Sequence, residues 1–347
     1  MKFSIIFLIF LIFFPLSVFA STSVVALDMD SGRVLYQNNC NEKKLIASTT
    51  KIMTAIVTIE NINLNKKIIV GNEILKMYGT SIYLEVGEKI RVKDLLYGLL
   101  LRSGNDAAVV LAKNVAGSEK KFVAMMNEKA KELGMKNTVF RNPHGLDEYT
   151  KNYSTAYDMA LLSSYANNNQ IYKKIVSTEK YECSTKNKTY LWYNRNKLLF
   201  NYEFCTGGKN GYTPSAGKSL VSTAKKGNLS ITIVSLNDND IYTTHESLYE
   251  ELFSNYKKYK IVDKKTFNID KKLFASPVYL KKSFFYPLTE REIDKIKTFI
   301  YLENFSKNRV GNIEIFLKDE KIGSLPIFLK KEKKENFSFL KLIHNLF

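Results

Sequence analysis

The hydrophobic period of this chain changes twice, and that order restricts its fold more than any other feature. Val24, Val25, Ala26 and Leu27 read as one strand, and Val34, Leu35 and Tyr36 as its partner, with Asp30-Ser31-Gly32 as the turn. From about Thr49 the spacing becomes helical, with Ile52, Met53, Ile56 and Ile59 on one face. Two apolar helices are expected at residues 92–101 and 107–116, broken at Ser103-Gly104-Asn105. An amphipathic helix should follow over 120–133, stopping near Gly134. Thr155 and Asp158 fit a capping box that opens a helix over 156–165. Past Cys205 the texture returns to strands, 219–224 and 229–236 around the turn 225–228, and a helix at 245–256 closes the segment. Strands enclosing a helical middle predict an α+β domain with an antiparallel sheet.

Around Val262 a second region begins, in short strand-like pieces at 274–279, 297–301, 312–317 and 322–328 that suggest a small all-β domain. The expected division is therefore 21–260, 261–329 and a tail over 330–347. The tail opens on the charge run Lys330-Lys331-Glu332-Lys333-Lys334. It then puts Phe337, Leu340, Ile343, Leu346 and Phe347 on roughly one face, which would suit a membrane surface.

The first 20 residues address the rest. Lys2 precedes an apolar stretch from Phe3 to Leu16, and Val18-Phe19-Ala20 supplies the small residues of a secretory cleavage site. An uncleaved anchor is the alternative. Either way the body is expected to be exported, outside the cytoplasm, in the cell wall or on the outer face of the membrane. The formal charge of +18 would suit nucleic acid. Export argues against that partner and for anionic lipids or wall polymers, or for solubility alone. The three cysteines (Cys40, Cys183, Cys205) allow at most one disulfide, with Cys183–Cys205 one pairing open. With three histidines and no His/Cys cluster, neither a catalytic metal nor a cofactor is expected.

The chemistry centres on Ser48-Thr49-Thr50-Lys51. Residues three apart on a helix share a face. A serine in the first turn has a free backbone N–H at the positive end of the helix dipole, suited to an oxyanion. A lysine one turn on can take the hydroxyl proton if burial and a nearby cation keep it neutral. Ser-x-x-Lys also occurs at Ser118, Ser177, Ser215, Ser222, Ser254 and Ser338. Only Ser48 heads an apolar helix directly after a hairpin. In Ser103-Gly104-Asn105 the hydroxyl can relay a proton and the amide can bind a substrate carbonyl. Gly207-Gly208-Lys209-Asn210-Gly211 brings a positive charge on a strand that a ligand backbone can approach closely. The Tyr212 N–H is placed as a second oxyanion donor, and its ring is expected to be exposed. His144 and Asp147 suggest a Ser-His-Asp arrangement, but lysine already supplies a base, so both are read as structural, as is Asp158.

In this order Ser-x-x-Lys, Ser-x-Asn and Lys-x-Gly resemble the penicillin-binding proteins and serine β-lactamases. Ala47–Thr54, Ser103–Ala108, Asn142–Asp147, Tyr153–Met159 and Gly211-Tyr212-Thr213 narrow the resemblance to the low-molecular-mass D-alanyl-D-alanine carboxypeptidases. It is specific from Val24 to about Tyr256 and looser beyond. The resemblance implies a β-lactamase/transpeptidase-like domain followed by a small β-sandwich, and often a C-terminal amphipathic membrane helix. It implies a peptidoglycan stem peptide ending in D-Ala-D-Ala as substrate and β-lactams as acylating inhibitors. Ser48, Lys51 and Ser103 would be catalytic, with Asn105, Lys209, Asn210, Gly211 and Tyr212 binding substrate.

Two departures touch one function. The family usually has threonine where Asn210 stands, and often an arginine near residues 242–244 that contacts the substrate carboxylate; here no arginine stands there. Carboxylate recognition is therefore expected to be weakened or reorganised. The alternatives are a β-lactamase, which would want a glutamate followed by Leu-Asn between the second and third motifs, and a wall-binding homologue with a degenerate site.

Overall fold

Strands β1 (Ser23–Asp28) and β2 (Val34–Asn38) form the first hairpin. In this computed structural model residues 21–186, 188–271, 276–302, 308–330 and the backbone of 340–342 are described. Residues 1–20, read above as a secretory signal, the charge run from 331, and residues 337–339 and 343–347 of the tail lie outside them. Asp28 closes the hairpin turn by accepting from Ser31 N (2.8 Å) and Ser31 Oγ (2.6 Å). Strand β3 (Lys44–Leu45) leads into a 3-10 turn, Ala47–Thr50, which runs straight into α1 (Lys51–Asn61). The ladder of β4 (Lys67–Ile69) and β5 (Lys89–Arg91) precedes α2 (Val92–Leu101), α3 (Asn105–Ala116) and α4 (Glu119–Glu132). Strand β6 (Tyr153–Ser154) pairs with β3 and introduces α5 (Ala156–Asn168), where Thr155 Oγ1 accepts from Asp158 N.

Over residues 170–201 the periodicity reading lacks four elements: α6 (Gln170–Val176), the hairpin of β7 (Lys180–Ser184) and β8 (Thr189–Tyr193), and the short α7 (Leu198–Asn201). The meander β9 (Cys205–Thr213), β10 (Gly217–Lys226) and β11 (Leu229–Leu236) follows, and then α8 (Ile241–Asn255).

The first hairpin adds to the meander to make one antiparallel sheet, ordered β2-β1-β11-β10-β9. Its two faces feed two cores. Val25, Leu27, Val221 and Val234 join the large core with α1–α6, whereas Val24, Ala26, Leu220, Ile231 and Ile233 pack with α8. Burial on both faces explains why β1 reads as an unbroken apolar run rather than an alternating one. The fold is α+β, as expected.

Strand β12 (Lys257–Val262) runs through the division the sequence places at residues 260 and 261, and it pairs with β14 (Phe284–Leu288). A five-stranded sheet follows, ordered β13 (Val278–Leu280), β17 (Glu320–Leu329), β16 (Arg309–Leu317), β15 (Ile296–Leu302), β18 (Leu340–Leu342). Its buried residues, among them Ile300, Ile313, Ile315 and Ile327, form a separate cluster. The described part of the tail is thus extended and paired with β15, where the sequence suggests one amphipathic face. Arg33 ties this region to the first hairpin. Its guanidinium meets Glu292 Oε1 at 2.6 Å and lies 5.3 Å from the ring centres of both Tyr256 and Tyr286. Lys258 adds a bond to Asp28 at 3.1 Å. All three cysteines are free thiols, so the pairing of Cys183 with Cys205 is absent.

Candidate active site

Ser48 lies in the 3-10 turn at the head of α1, and Ala47 before it has φ +45°, left-handed for a residue with a side chain. Thr49 fixes the turn, its N–H (3.1 Å) and Oγ1 (2.5 Å) both donating to Ile46 O. Lys51 begins α1 and is fully buried. Its Nζ lies 2.9 Å from Ser48 Oγ, 2.8 Å from Asn105 Oδ1 and 2.5 Å from the His144 carbonyl oxygen. Burial pushes the Lys51 amine well below its ordinary pKa; repulsion from Lys209 and Arg195 adds to this, and Asp106 opposes it. A neutral amine has two hydrogens and one lone pair. Asn105 Oδ1 and His144 O can only accept, so they take both hydrogens and leave the lone pair to the Ser48 hydroxyl.

The His144 carbonyl is placed by a loop clamped to α1. Thr54 Oγ1 donates to Pro143 O (2.6 Å), and Asn152 Nδ2 donates to Thr50 Oγ1 (3.0 Å). Asn142 Oδ1 accepts from Gly145 N at 2.6 Å. Gly145 has φ +87°, and a Cβ there would fall 1.9 Å from Ala47 O, so only glycine lets this loop lie on the serine turn. The His144 ring is not a base: burial holds it down to about 3, and its Nδ1 accepts from Leu146 N. Asp147 Oδ2 accepts from Thr213 Oγ1 and Asp158 Oδ2 from Asn137 N, both bracing contacts.

Ser103 is buried between α2 and α3 with φ +65°. Its hydroxyl makes no hydrogen bond among the described residues. Asn105 begins α3. While Oδ1 faces Lys51, Nδ2 donates to Tyr78 O at 2.8 Å, which leaves one N–H of the amide for a ligand. The buried Asp106 holds the facing loop by accepting from Ser81 Oγ (2.5 Å), Ile82 N and Leu84 N.

Strand β9 is the sheet edge and packs on the serine turn. An edge strand leaves alternate N–H groups unpaired by the sheet. A Cβ on Gly211 would sit 2.9 Å from Ser48 N, so its absence permits this approach. Lys209 is buried, and burial together with the Arg195 charge lowers its ammonium to about 7. Its charge bears on Lys51, and its Nζ donates to the Asn210 carbonyl (2.6 Å) and approaches Asn210 Oδ1 at 3.4 Å. Tyr212 is exposed, at 64%.

Ser48, Lys51 and Asn105 therefore meet directly, Gly211 closes on the serine turn, and Lys209 pairs with Asn210. Sequence reasoning missed the His144 carbonyl, the Tyr78 carbonyl and Arg195. The first two are backbone atoms that carry no residue-type signal. Arg195 follows a hairpin that the periodicity did not show.

This arrangement defines the penicillin-binding-protein class of fold. Penicillin-binding protein 6B from Escherichia coli superposes with TM-score 0.70 at 28% identity, covering 88% of this chain and 93% of that one. Penicillin-binding protein 5 from Haemophilus influenzae shares the fold at TM-score 0.74 and 24% identity, covering 88% and 95%. A family model described as D-alanyl-D-alanine carboxypeptidase, peptidase S11, matches residues 15–240, and the chain belongs to that family. It is 41% identical over 213 residues to the D-alanyl-D-alanine carboxypeptidase DacF of Bacillus subtilis (strain 168), covering 60% of this chain and 54% of the relative. For the D-alanyl-D-alanine carboxypeptidase DacC of Escherichia coli (strain K12) the figures are 36% over 224 residues, 61% and 55%. The chain thus spans about half the length of these two relatives.

Proposed function

We propose that the protein is a serine-type carboxypeptidase that removes the terminal D-alanine from peptidoglycan stem peptides. The observation that carries this is the buried Lys51 amine, 2.9 Å from Ser48 Oγ with its other two contacts spent on acceptors. Family membership supports the substrate class.

The Ser48 hydroxyl proton passes to the Lys51 lone pair as Oγ attacks the penultimate carbonyl carbon. The oxyanion is met by the backbone N–H groups of Ser48 and Tyr212, a pairing that the close approach of Gly211 to Ser48 N supports. The carbon–nitrogen bond then breaks. The Ser103 hydroxyl hands its proton to the leaving amine and takes back the one that Lys51 received, so D-alanine departs with Lys51 neutral again. Water, deprotonated by Lys51, opens the ester on Ser48 and regenerates the hydroxyl. Asn105 holds the substrate amide with its remaining N–H, while Lys209, Asn210 and Gly211 line the carboxylate side. β-Lactams acylate Ser48 as false substrates. The apolar stretch within residues 1–20, read as a secretory leader, and the wall substrate both support a location of the body outside the cytoplasm.

The test is release of D-alanine from diacetyl-Lys-D-Ala-D-Ala by the purified protein, with Ser48→Ala beside it. Release by the wild type alone supports the proposal. No release, together with no labelling by a fluorescent penicillin, defeats it.

A further inference from the structure

Strand β9 sets the direction of a bound peptide. With Lys209 and Asn210 on the carboxylate side and the Tyr212 N–H at the scissile carbonyl, the substrate residues before that carbonyl run on toward Thr213, the last residue of the strand. The 146–149 loop lies at this end. Thr213 Oγ1 donates to Asp147 Oδ2 at 2.5 Å, which puts Glu148 and Tyr149 beside the upstream part of the cleft. The 78–80 loop meets it there. Tyr78 O accepts from Asn105 Nδ2, and a Cβ on Gly79 would stand 3.3 Å from that nitrogen and 3.6 Å from Leu146 Cδ2. The two loops therefore join at Asn105, the residue that holds the substrate amide.

Three side chains at this junction have no part in the steps above. Partial burial and a hydrogen bond to Glu148 push the Tyr78 phenol up to about 12, so the phenol stays protonated and donates to that carboxylate. The Tyr149 ring stands edge-on to Tyr78, with centroids 6.5 Å apart and planes at 86°. Tyr78, Glu148 and Tyr149 are all exposed. A carboxylate accepts through both oxygens, and one phenol leaves most of that capacity open. Although the chain carries a formal charge of +18, no lysine or arginine comes within ion-pair distance of Glu148 among the described residues. Arg195, which touches the same 78–80 loop, bonds Thr80 Oγ1 at 3.3 Å. An anionic oxygen flanked by two aromatic rings suits an ammonium, through an ion pair and a cation–π contact.

We propose that Glu148, flanked by Tyr78 and Tyr149, receives the side-chain ammonium of the substrate residue that precedes D-Ala-D-Ala; this rests on the carboxypeptidase reading above. When that residue is a diamino acid, its side-chain amine is charged while free and neutral once acylated. A carboxylate at this place therefore favours stems that are not yet cross-linked through that amine.

The test compares the wild type and Glu148→Gln on two peptides, Nα-acetyl-Lys-D-Ala-D-Ala, whose side-chain amine is free, and diacetyl-Lys-D-Ala-D-Ala, in which it is acetylated. Wild-type kcat/KM should favour the free amine by about 5- to 10-fold, the range of an exposed ion pair joined to a cation–π contact. That preference should shrink as salt is raised. Glu148→Gln should bring it below about 2-fold and leave the acetylated peptide within about 2-fold of the wild type. A wild type without the preference, or a variant that keeps it, overturns the proposal. An equal fall on both peptides would assign Glu148 to the structure of its loop and overturns it too. Release of D-alanine from neither peptide by the wild type would instead overturn the carboxypeptidase reading itself.

Discussion

At Lys51 a guanidinium cannot replace the amine. Arginine stays charged in proteins and offers no lone pair, so Lys51→Arg keeps the positive charge but loses the base. Acylation by a fluorescent penicillin should fall by about 100- to 10,000-fold in that variant, the range assigned to general-base catalysis. Ser48→Ala should show no labelling at all. Asn210 supplies a second prediction at this scale. Its carbonyl and Oδ1 both draw on the Lys209 ammonium, so Asn210→Thr should free part of that charge for substrate and raise both turnover and penicillin acylation. Rates identical to the wild type would remove Asn210 from carboxylate recognition. The Ser48–Lys51 contact was legible from spacing together with its place at the head of an apolar helix after a hairpin, because helical geometry puts residues three apart on one face. The direction of Lys209 was not, because a flexible four-carbon stem chooses among partners that only the folded cleft supplies. Nor was the left-handed backbone of Ala47 and Ser103, which residue type does not announce.

Helix α8 is pinned to the sheet by a buried polar network. Ser222 Oγ lies 2.7 Å from His245 Nδ1 and 2.8 Å from Tyr249 Oη, and His245 Nε2 lies 3.0 Å from Ser235 Oγ. Burial lowers His245 to about 3. Its unfolded counterpart titrates near the ordinary histidine value of about 6.5, so between those limits the unfolded chain binds a proton that the fold refuses. The stability this neutral histidine contributes is complete above about 6.5 and declines as pH falls toward about 3, by up to about 1.4 kcal/mol per pH unit. Urea unfolding at several pH values should show that decline. At pH 7, Ser222→Ala should cost about 1–3 kcal/mol in the same assay, since it deprives two buried groups of a partner. The helices that sequence located well, α2, α3 and α5, are long and strongly periodic. Those it missed are short, α6 of seven residues and α7 of four, and the missed strands β7 and β8 run only five residues each. Strands β12 and β14, which pair with each other, were missed because lysines stand at 257, 258 and 260 of β12 and Pro287 interrupts the apolar run of β14.

Across the whole molecule, the cleft is assembled from parts distant in sequence. The α1 turn, the α2–α3 break, the 142–152 loop and the β9 edge meet only when the N-terminal hairpin pairs with β11. Arg33 on that hairpin also reaches the second region through Glu292, far from Ser48. Arg33→Ala should therefore loosen the β12–β14 ladder, read as faster amide hydrogen exchange there, and leave D-alanine release within about 2-fold of the wild type. Slowed release would tie the second region to catalysis. The α+β class was legible because the hydrophobic period reports which layer a segment enters, while the pairing of β12 with β14 was not. The account as a whole rests on an uncharged Lys51 in the assembled cleft. Its most direct test is the rate constant of Ser48 acylation by a penicillin, measured by stopped flow across pH for the full chain. Because the Lys51 amine is held well below its ordinary value, the acid limb of that profile should reach half-height far below about 10.4. A limb centred near the ordinary lysine value, or a Lys51→Ala variant that acylates as fast as the wild type, would contradict it.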